Sequence, residues 1–270
     1  MGAALVGETT APELHVMTLN VRRRVPHLRR RHPDRWDVRA PRLAALLRTE
    51  RPALLAVQEA LPDQAEFVRD ALGHDAIGTG RAKLGGDEGC QLFFDPQRLE
   101  LLDWRQSALS TRPEVAGTRS WGSAFPRILV QAEFRDRTTS TRFLALNTHL
   151  DVASTRARRN SARIIRGIVE QRGLPAIVTG DLNAGDRSAT VRELTTRGAL
   201  ADAWAAAGER LTPPWGTYAR YRRPGPGPRI DWILVSPEVR VTRAGIRDAP
   251  IDGGWASDHL PVQAVVRMPA

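Results

Sequence analysis

The chain reads as an α/β protein in which two β-sheets pack face to face with helices on their outer sides. Two observations lead there. Strand-like and helix-like segments alternate in both halves of the 270 residues, while the middle of the chain is rich in strands, a pattern that suits layered sheets covered by helices. No linker or internal repeat divides the sequence, so residues 14–268 are expected to form one domain behind a flexible tail, residues 1–13.

Residues 14–19 alternate well enough for a strand, which delivers Asn20 at its end. Residues 21–37 are loop-like, with Pro26, Pro33 and two arginine runs. Asp37 as N-cap and Pro41 early in the helix predict a helix to about Glu50, with Leu43, Leu46 and Leu47 as its apolar stripe. Pro52 ends it, and residues 53–57 form a second buried strand running into Gln58-Glu59. A helix over residues 62–72 follows. Strands are then expected at residues 90–94, 99–104, 128–134 and 142–147, with an irregular loop over 112–125. Residues 154–171 make the strongest helix, with Ile164, Ile165, Ile168 and Val169 on its buried face. Residues 175–179 are a short β-branched strand that breaks at Gly180. A helix near 189–196, a Pro/Gly/Arg-rich loop over 218–229, and strands at 230–235, 239–246 and 262–266 complete the pass.

The formal charge is +10, and Lys83 is the one lysine among 40 basic residues. The sign favours anionic partners, and arginine grips phosphate with two prongs where lysine cannot. Base composition of the gene accounts equally for the choice of arginine. Cys90 stands alone, which excludes an internal disulfide and a thiolate zinc cluster. No run approaches the roughly 18 apolar residues of a membrane span, and no signal-peptide pattern opens the chain. A cytoplasmic location is the default expectation.

Polar groups of one kind recur at six strand boundaries: Asn20, Glu59, Asn147-Thr148-His149, Asp181-Leu182-Asn183, Asp231 and Ser257-Asp258-His259. Sheet ends on one side of a fold converge on one surface, so the recurrence points to a site. Asp181 and Asn183 sit two residues apart and can face the same way. A carboxylate can activate water or hold a metal, and a neutral amide can hold a phosphate oxygen without cancelling its charge. Read alone, Gly180-Asp181-Leu182-Asn183 is equally a turn after a strand.

Taken together, Gln58-Glu59, Gly180-Asp181-Leu182-Asn183 and Ser257-Asp258-His259-Leu260-Pro261, in this order, make the chain resemble the endonuclease/exonuclease/phosphatase superfamily, which includes DNase I-like nucleases, deadenylases and inositol polyphosphate 5-phosphatases. The resemblance covers residues 14–266. Trp36, Arg39, Ser120-Trp121-Gly122 and Asn147-Thr148-His149-Leu150-Asp151 resemble a bacterial branch. The resemblance implies a four-layer α/β/β/α sandwich with its site at one end of the sheets. It also implies Glu59 as main metal ligand with Asn20 and Asp258 nearby, and Asp181 as the group that orients or deprotonates water. Asn183 would hold a phosphate oxygen, His259 would bind the scissile phosphate with Asp231 fixing its tautomer, and His149 would be a second phosphate-facing histidine. Glu88 would support that histidine, and Arg22, Arg127 and Trp121 would be supporting or substrate-contacting groups. Mg²⁺ suits such a sparse carboxylate site, with Mn²⁺ as substitute. Some abasic-site nucleases carry an acid two residues after the first asparagine; Arg22 stands there here, which favours one metal position over two and offers a phosphate contact.

The expected activity is therefore metal-assisted water attack on a phosphoester, in nucleic acid or a nucleotide-containing substrate. Arginine clusters at 22–24, 156–163 and 220–229 flank the motifs and suit a polyanionic strand, and Trp121, Trp215, Tyr218 and Tyr221 could stack bases. A solvated helix face explains Arg156 to Arg163 equally well. The alternatives are a phosphatase or phosphodiesterase of a small phosphorylated sugar, inositol or lipid headgroup, and a non-catalytic phosphate- or RNA-binding module on the same fold. The module reading predicts loss of Glu59, Asp181, Asp231 or His259, and all four are present. A serine hydrolase lacks its Gly-x-Ser-x-Gly elbow.

Overall fold

The computed structural model describes residues 3–29 and 31–269. In chain order the described residues form β1 (Glu13–Asn20), α1 (Trp36–Glu50), β2 (Leu54–Gln58), α2 (Pro62–Leu72), β3 (Asp75–Ile77), β4 (Leu92–Phe94), β5 (Leu99–Ala108), β6 (Ile128–Asp136) and β7 (Arg142–His149). There follow α3 (Thr155–Arg172), β8 (Ala176–Asp181), α4 (Ala189–Thr195), β9 (Ala201–Asp202), α5 (Ala203–Ala206), β10 (Glu209–Arg210), β11 (Asp231–Val235), β12 (Arg240–Ile246) and β13 (Val262–Arg267). One sheet has the strand order β10-β12-β13-β1-β2-β4-β3, the other β5-β6-β7-β8-β11-β9.

Alternation along the strands builds the layers. In β1, Leu14 and Val16 pack between the sheets together with Leu54 and Ala56 of β2. Met17 and Leu19 face the other way, onto Leu43, Leu46 and Leu47 of α1 and Val68 of α2. In the second sheet Phe143, Ala145, Ile177 and Ile233 point inward, while Leu144, Leu146, Val178 and Leu234 pack on Ala162, Ile165 and Val169 of α3 and on α4. The central strands of both sheets are apolar and covered on both faces, which gives the expected four layers.

The helix ends follow local chemistry. Ser154 caps α3, its Oγ accepting from the Ala157 N–H at 3.1 Å, and Gly173 closes it at φ 59°. Helix α1 begins at Trp36, one residue before the Asp37 expected as its N-cap. Arg35 occupies the cap with no side-chain bond, and Asp37 instead pairs with Arg35 at 2.6 Å. The leading segment, read from sequence as a tail, lies against α1: the Glu50 carboxylate accepts the N–H groups of Leu5, Val6 and Gly7 at 2.9 to 3.2 Å. No helix among the described residues is long and apolar enough to cross a membrane.

Candidate active site

Register decides which side chains meet. His149, Asp181 and Asp231 sit side by side on β7, β8 and β11, since His149 pairs with Asp181 and Asp181 with Asp231. All three continue the inward-facing rows. In the opposite sheet Asn20 pairs with Gln58 across parallel β1 and β2, so Glu59 leaves β2 beside the end of β1. Strand β13 runs antiparallel to β1, with Val262 opposite Thr18, which brings Asp258 and His259 to the same end. The apolar interior thus becomes polar at one end of both sheets. The transition begins at a buried pair across the interior, where Gln58 Nε2 donates to Asn147 Oδ1 at 2.7 Å and Asn147 Nδ2 to the carbonyls of Val57 and Gln91 at 2.9 Å each.

The cleft above this floor holds about 340 Å³. Glu59, Glu88, Arg22, Arg127, His149, Asp181, Asn183, Asp258 and His259 line it, together with Arg23, Arg81, Phe125, Val152, Tyr218 and Ile230. Asn20 and Asp231 stand behind. Asn20 Nδ2 lies 2.9 Å from Glu59 Oε1 and 3.1 Å from Asp181 Oδ2, joining the two sheets. Asp231 Oδ2 holds His259 Nδ1 at 2.8 Å. Trp121 does not line the cleft; its carbonyl caps Ser154 Oγ at 2.8 Å, and Phe125 of the same loop takes the position at the cleft instead.

Each group has a definable protonation bias. Burial and the neighbouring Asp231 raise the Asp181 carboxyl, against the hydrogen bonds from Asn20 and the Asn183 N–H. Burial would lower the His259 imidazole, but the carboxylates of Asp231, Asp181 and Asp258 outweigh it and push it up to about 10. His149 lies well below its ordinary value through burial and the charges of Arg127, His259 and Arg81. One imidazole is therefore a held cation and the other neutral, with Nε2 atoms 3.8 and 3.6 Å from Asp181 Oδ2 respectively. Burial raises Glu88, opposed by Arg81 at 2.9 Å and Arg23 at 3.2 Å. Arg127 is buried with Nε and Nη1 unpartnered, 3.8 Å from Asp151.

Backbone conformation aims several of these groups. Arg22, Glu59 and Asn183 have φ of 57°, 63° and 48°, a left-handed region that non-glycine residues rarely occupy and that concentrates at functional sites. Gly180 has φ 147°, and a Cβ there would lie 2.1 Å from the Thr148 carbonyl oxygen, so only glycine fits just before Asp181. The loop carrying Arg22 is tied down by Arg39, whose buried guanidinium donates to the carbonyls of Val21 at 2.7 Å, Arg22 at 3.0 Å, Asp34 at 3.0 Å and Ala256 at 3.3 Å.

Two groupings bear on a metal. Asp181, Asp231 and His259 bring one potential ligand atom each within 4.8 Å of one another, but the direct Asp231–His259 bond means these two satisfy each other. Glu59 and Asp258 are not bonded to a cationic side chain: Glu59 Oε2 accepts the Arg23 N–H at 3.2 Å and Asp258 Oδ1 the Ser257 hydroxyl at 3.3 Å, while Glu59 Oε2 and Asp258 Oδ2 each stand 3.8 Å from the Arg22 guanidinium, beyond hydrogen-bond length. Their hard oxygens at the cleft surface are a donor set that fits Mg²⁺ or Mn²⁺. Asn20 steadies Glu59 through its amide, while its Oδ1 accepts the Arg22 N–H at 2.9 Å.

The profile of the endonuclease/exonuclease/phosphatase family matches residues 17–259. An endonuclease/exonuclease/phosphatase from Bacteroides vulgatus is 31% identical, with TM-score 0.87 over 95% of this chain and 99% of that one. A mannosyl-6-phosphatase from Bacteroides thetaiotaomicron is 27% identical, with TM-score 0.87 over 94% of this chain and 99% of its own. The human Nocturnin catalytic domain, solved with a bound sulfate anion, shares the fold at 18% identity and TM-score 0.72, covering 95% and 94% of the two chains. No curated protein is matched.

Proposed function

We propose, from the premise that the chain belongs to the endonuclease/exonuclease/phosphatase family, that it is a divalent-metal-dependent phosphoester hydrolase acting on a small phosphorylated substrate. The observation that carries the reaction class is the Asp181 carboxylate, raised by burial and flanked within 3.8 Å by a protonated and a neutral imidazole on the floor of one cleft.

In this reading Asp181 receives the proton of the attacking water, and the Asn20 and Asn183 hydrogen bonds hold it in place at 3.1 and 2.9 Å. His259, kept charged by Asp231, donates to a phosphoryl oxygen as negative charge builds there. Asn183 uses one amide N–H on the Leu150 carbonyl at 3.0 Å and keeps the other for substrate. Arg127, with buried donors unpartnered, and His149 face the same phosphoryl group from the β7 side. Glu59 and Asp258 would hold Mg²⁺ or Mn²⁺, which when bound offsets charge on the phosphoryl and leaving oxygens.

The small-substrate reading rests on where the arginines go. Arg22, Arg23, Arg81 and Arg127 line the cleft. Of the outlying clusters, Arg158 donates to the Asp151 carbonyl at 2.8 Å, Arg163 and Arg166 pair with Glu193, and Arg229 pairs with Asp202 at 2.6 Å. Those arginines are committed within the fold, while Arg156, Arg159, Arg220, Arg222 and Arg223 make no ion pair among the described residues, so the case for a basic track along a strand is weakened in part. A second reading, a nucleotide or nucleic-acid substrate, is favoured by Tyr218 and Phe125, which line the cleft with 48% and 49% of their surfaces exposed and could stack on a base.

Turnover of a panel of sugar phosphates, nucleotides, DNA and RNA, each with EDTA and with Mn²⁺ added back, tests both. The expected result is EDTA-sensitive hydrolysis of small phosphoesters with a weak response to salt. Turnover confined to polynucleotides and falling steeply with salt would make the second reading the correct one.

A further inference from the structure

We infer that Arg22 is a resident counter-cation of the Glu59–Asp258 carboxylate pair, competing with a divalent cation for the same oxygens, and that Asp34 is its second berth. The inference rests on the reading of Glu59 and Asp258 as metal-holding groups, and it assigns to Arg22 the setting of metal affinity.

Arg22 hangs between three carboxylates, with one long hydrogen bond to Asp34 and none to Glu59 or Asp258. Its guanidinium nitrogens lie 3.8 Å from Glu59 Oε2, 3.8 Å from Asp258 Oδ2 and 3.4 Å from Asp34 Oδ2. A settled arginine–carboxylate pair has contacts of about 2.7–2.9 Å, which this chain achieves elsewhere, at Arg98–Asp136 with 2.8 Å. Arg22 Nε is buried and has no hydrogen-bond partner. Burial would lower its basicity, but Asp34, Asp258 and Glu59 outweigh this, so the charge stays.

The root of the side chain is fixed while its head is shared. The Arg22 N–H donates to Asn20 Oδ1 at 2.9 Å, and its carbonyl accepts from Arg39 at 3.0 Å and Gln64 at 3.1 Å. The φ of 57° is set by those bonds, so the guanidinium moves by side-chain rotation alone. Asp34 is built as a berth. It is buried, bonded to His27 Nε2 at 2.8 Å and to the Tyr221 hydroxyl, and faces Arg39 at 3.6 Å. A divalent cation drawn to Glu59 and Asp258 would face a like charge within a few ångströms, a repulsion that moving the guanidinium towards Asp34 relieves.

The test is calorimetric titration of the EDTA-treated, dialysed protein with Mn²⁺, independent of turnover, with circular dichroism as the folding control. Arg22→Met keeps the stem and removes the charge. It should bind Mn²⁺ about tenfold more tightly than wild type, within the usual range of coupling between sites. Arg22→Lys should retain the wild-type affinity. Asp34→Asn should weaken binding, and that loss should shrink in the Arg22→Met background, as a double-mutant cycle reads directly. Equal or weaker Mn²⁺ binding by Arg22→Met overturns the inference and leaves Arg22 as a substrate contact. A wild type that binds no Mn²⁺, with Glu59→Gln indistinguishable from it, overturns instead the metal reading on which the inference stands.

Discussion

At His259 the residue type alone is ambiguous, because a free imidazole titrates near neutrality. Its environment removes the ambiguity. Asp231 at 2.8 Å, with Asp181 and Asp258 nearby, keeps the ring charged to about 10. Asp231→Asn should therefore lower kcat by about 10²–10⁴, the range for losing a positioned proton donor, with fold retained by circular dichroism. A KM effect without a kcat effect would mean the pair binds substrate without acting in the chemistry. Asp181→Asn should abolish measurable turnover, as checked by phosphate release. The sequence placed Asp231 and His259 at strand boundaries, and it was the family resemblance that implied their pairing. It could not reveal that Arg23 and Arg81 both pair with Glu88, the first across 65 residues and the second within one loop, nor that Phe125 and not Trp121 reaches the cleft. Loop residues carry no periodicity from which a facing could be read.

Strand register is the element-scale fact on which the site depends. A slip of one residue in β8 would turn Asp181 from the cleft towards α3. Gly180 guards this register: Gly180→Ala should lower the midpoint of denaturant unfolding and reduce kcat together, because the new Cβ would collide with the Thr148 carbonyl at 2.1 Å. A variant with unchanged unfolding midpoint and kcat would show that β7 and β8 can separate without cost. Apolar alternation and the extent of α3, read as residues 154–171, were legible because local chemistry suffices for them. The N-cap of α1 was misplaced because Asp37 bonds to Arg35, a side-chain pairing that competes with capping. The two-residue strands β9 and β10 carry too few residues to show a period.

For the whole molecule, a buried histidine far along β1 from the cleft links stability to pH. Burial lowers His15 to about 4 from an ordinary 6.5, although Gln263 at 2.8 Å and Glu50 act to raise it. The unfolded chain then binds the proton more readily, so the contribution is full above pH 6.5 and is lost as pH falls through 4. The loss amounts to about 3 kcal/mol. His15→Gln should flatten the fall in unfolding free energy between pH 7 and 4.5 measured in urea. A parallel fall in both proteins would place the acid sensitivity elsewhere. The two-sheet architecture was legible because alternation and strand-end polarity report on all layers at once. The fate of the arginines was not, since Arg163, Arg166 and Arg229 found acidic partners on other elements that a linear charge count cannot pair.

Asn20 reaches from one sheet to Asp181 on the other, with Gln58 and Asn147 bonded just beneath. The floor of the cleft is thus split between two sheets that meet across an apolar seam, and under the proposed function the spacing of those sheets sets the distances between the reacting groups. Trimming a methyl group anywhere in that seam changes the gap a little, and a proton-transfer distance tolerates less change than a hydrophobic interior does. Turnover should then act as a gauge of sheet spacing, falling in core variants that remain fully folded. Under the proposed function, apolar side chains that never meet the substrate therefore bear on turnover.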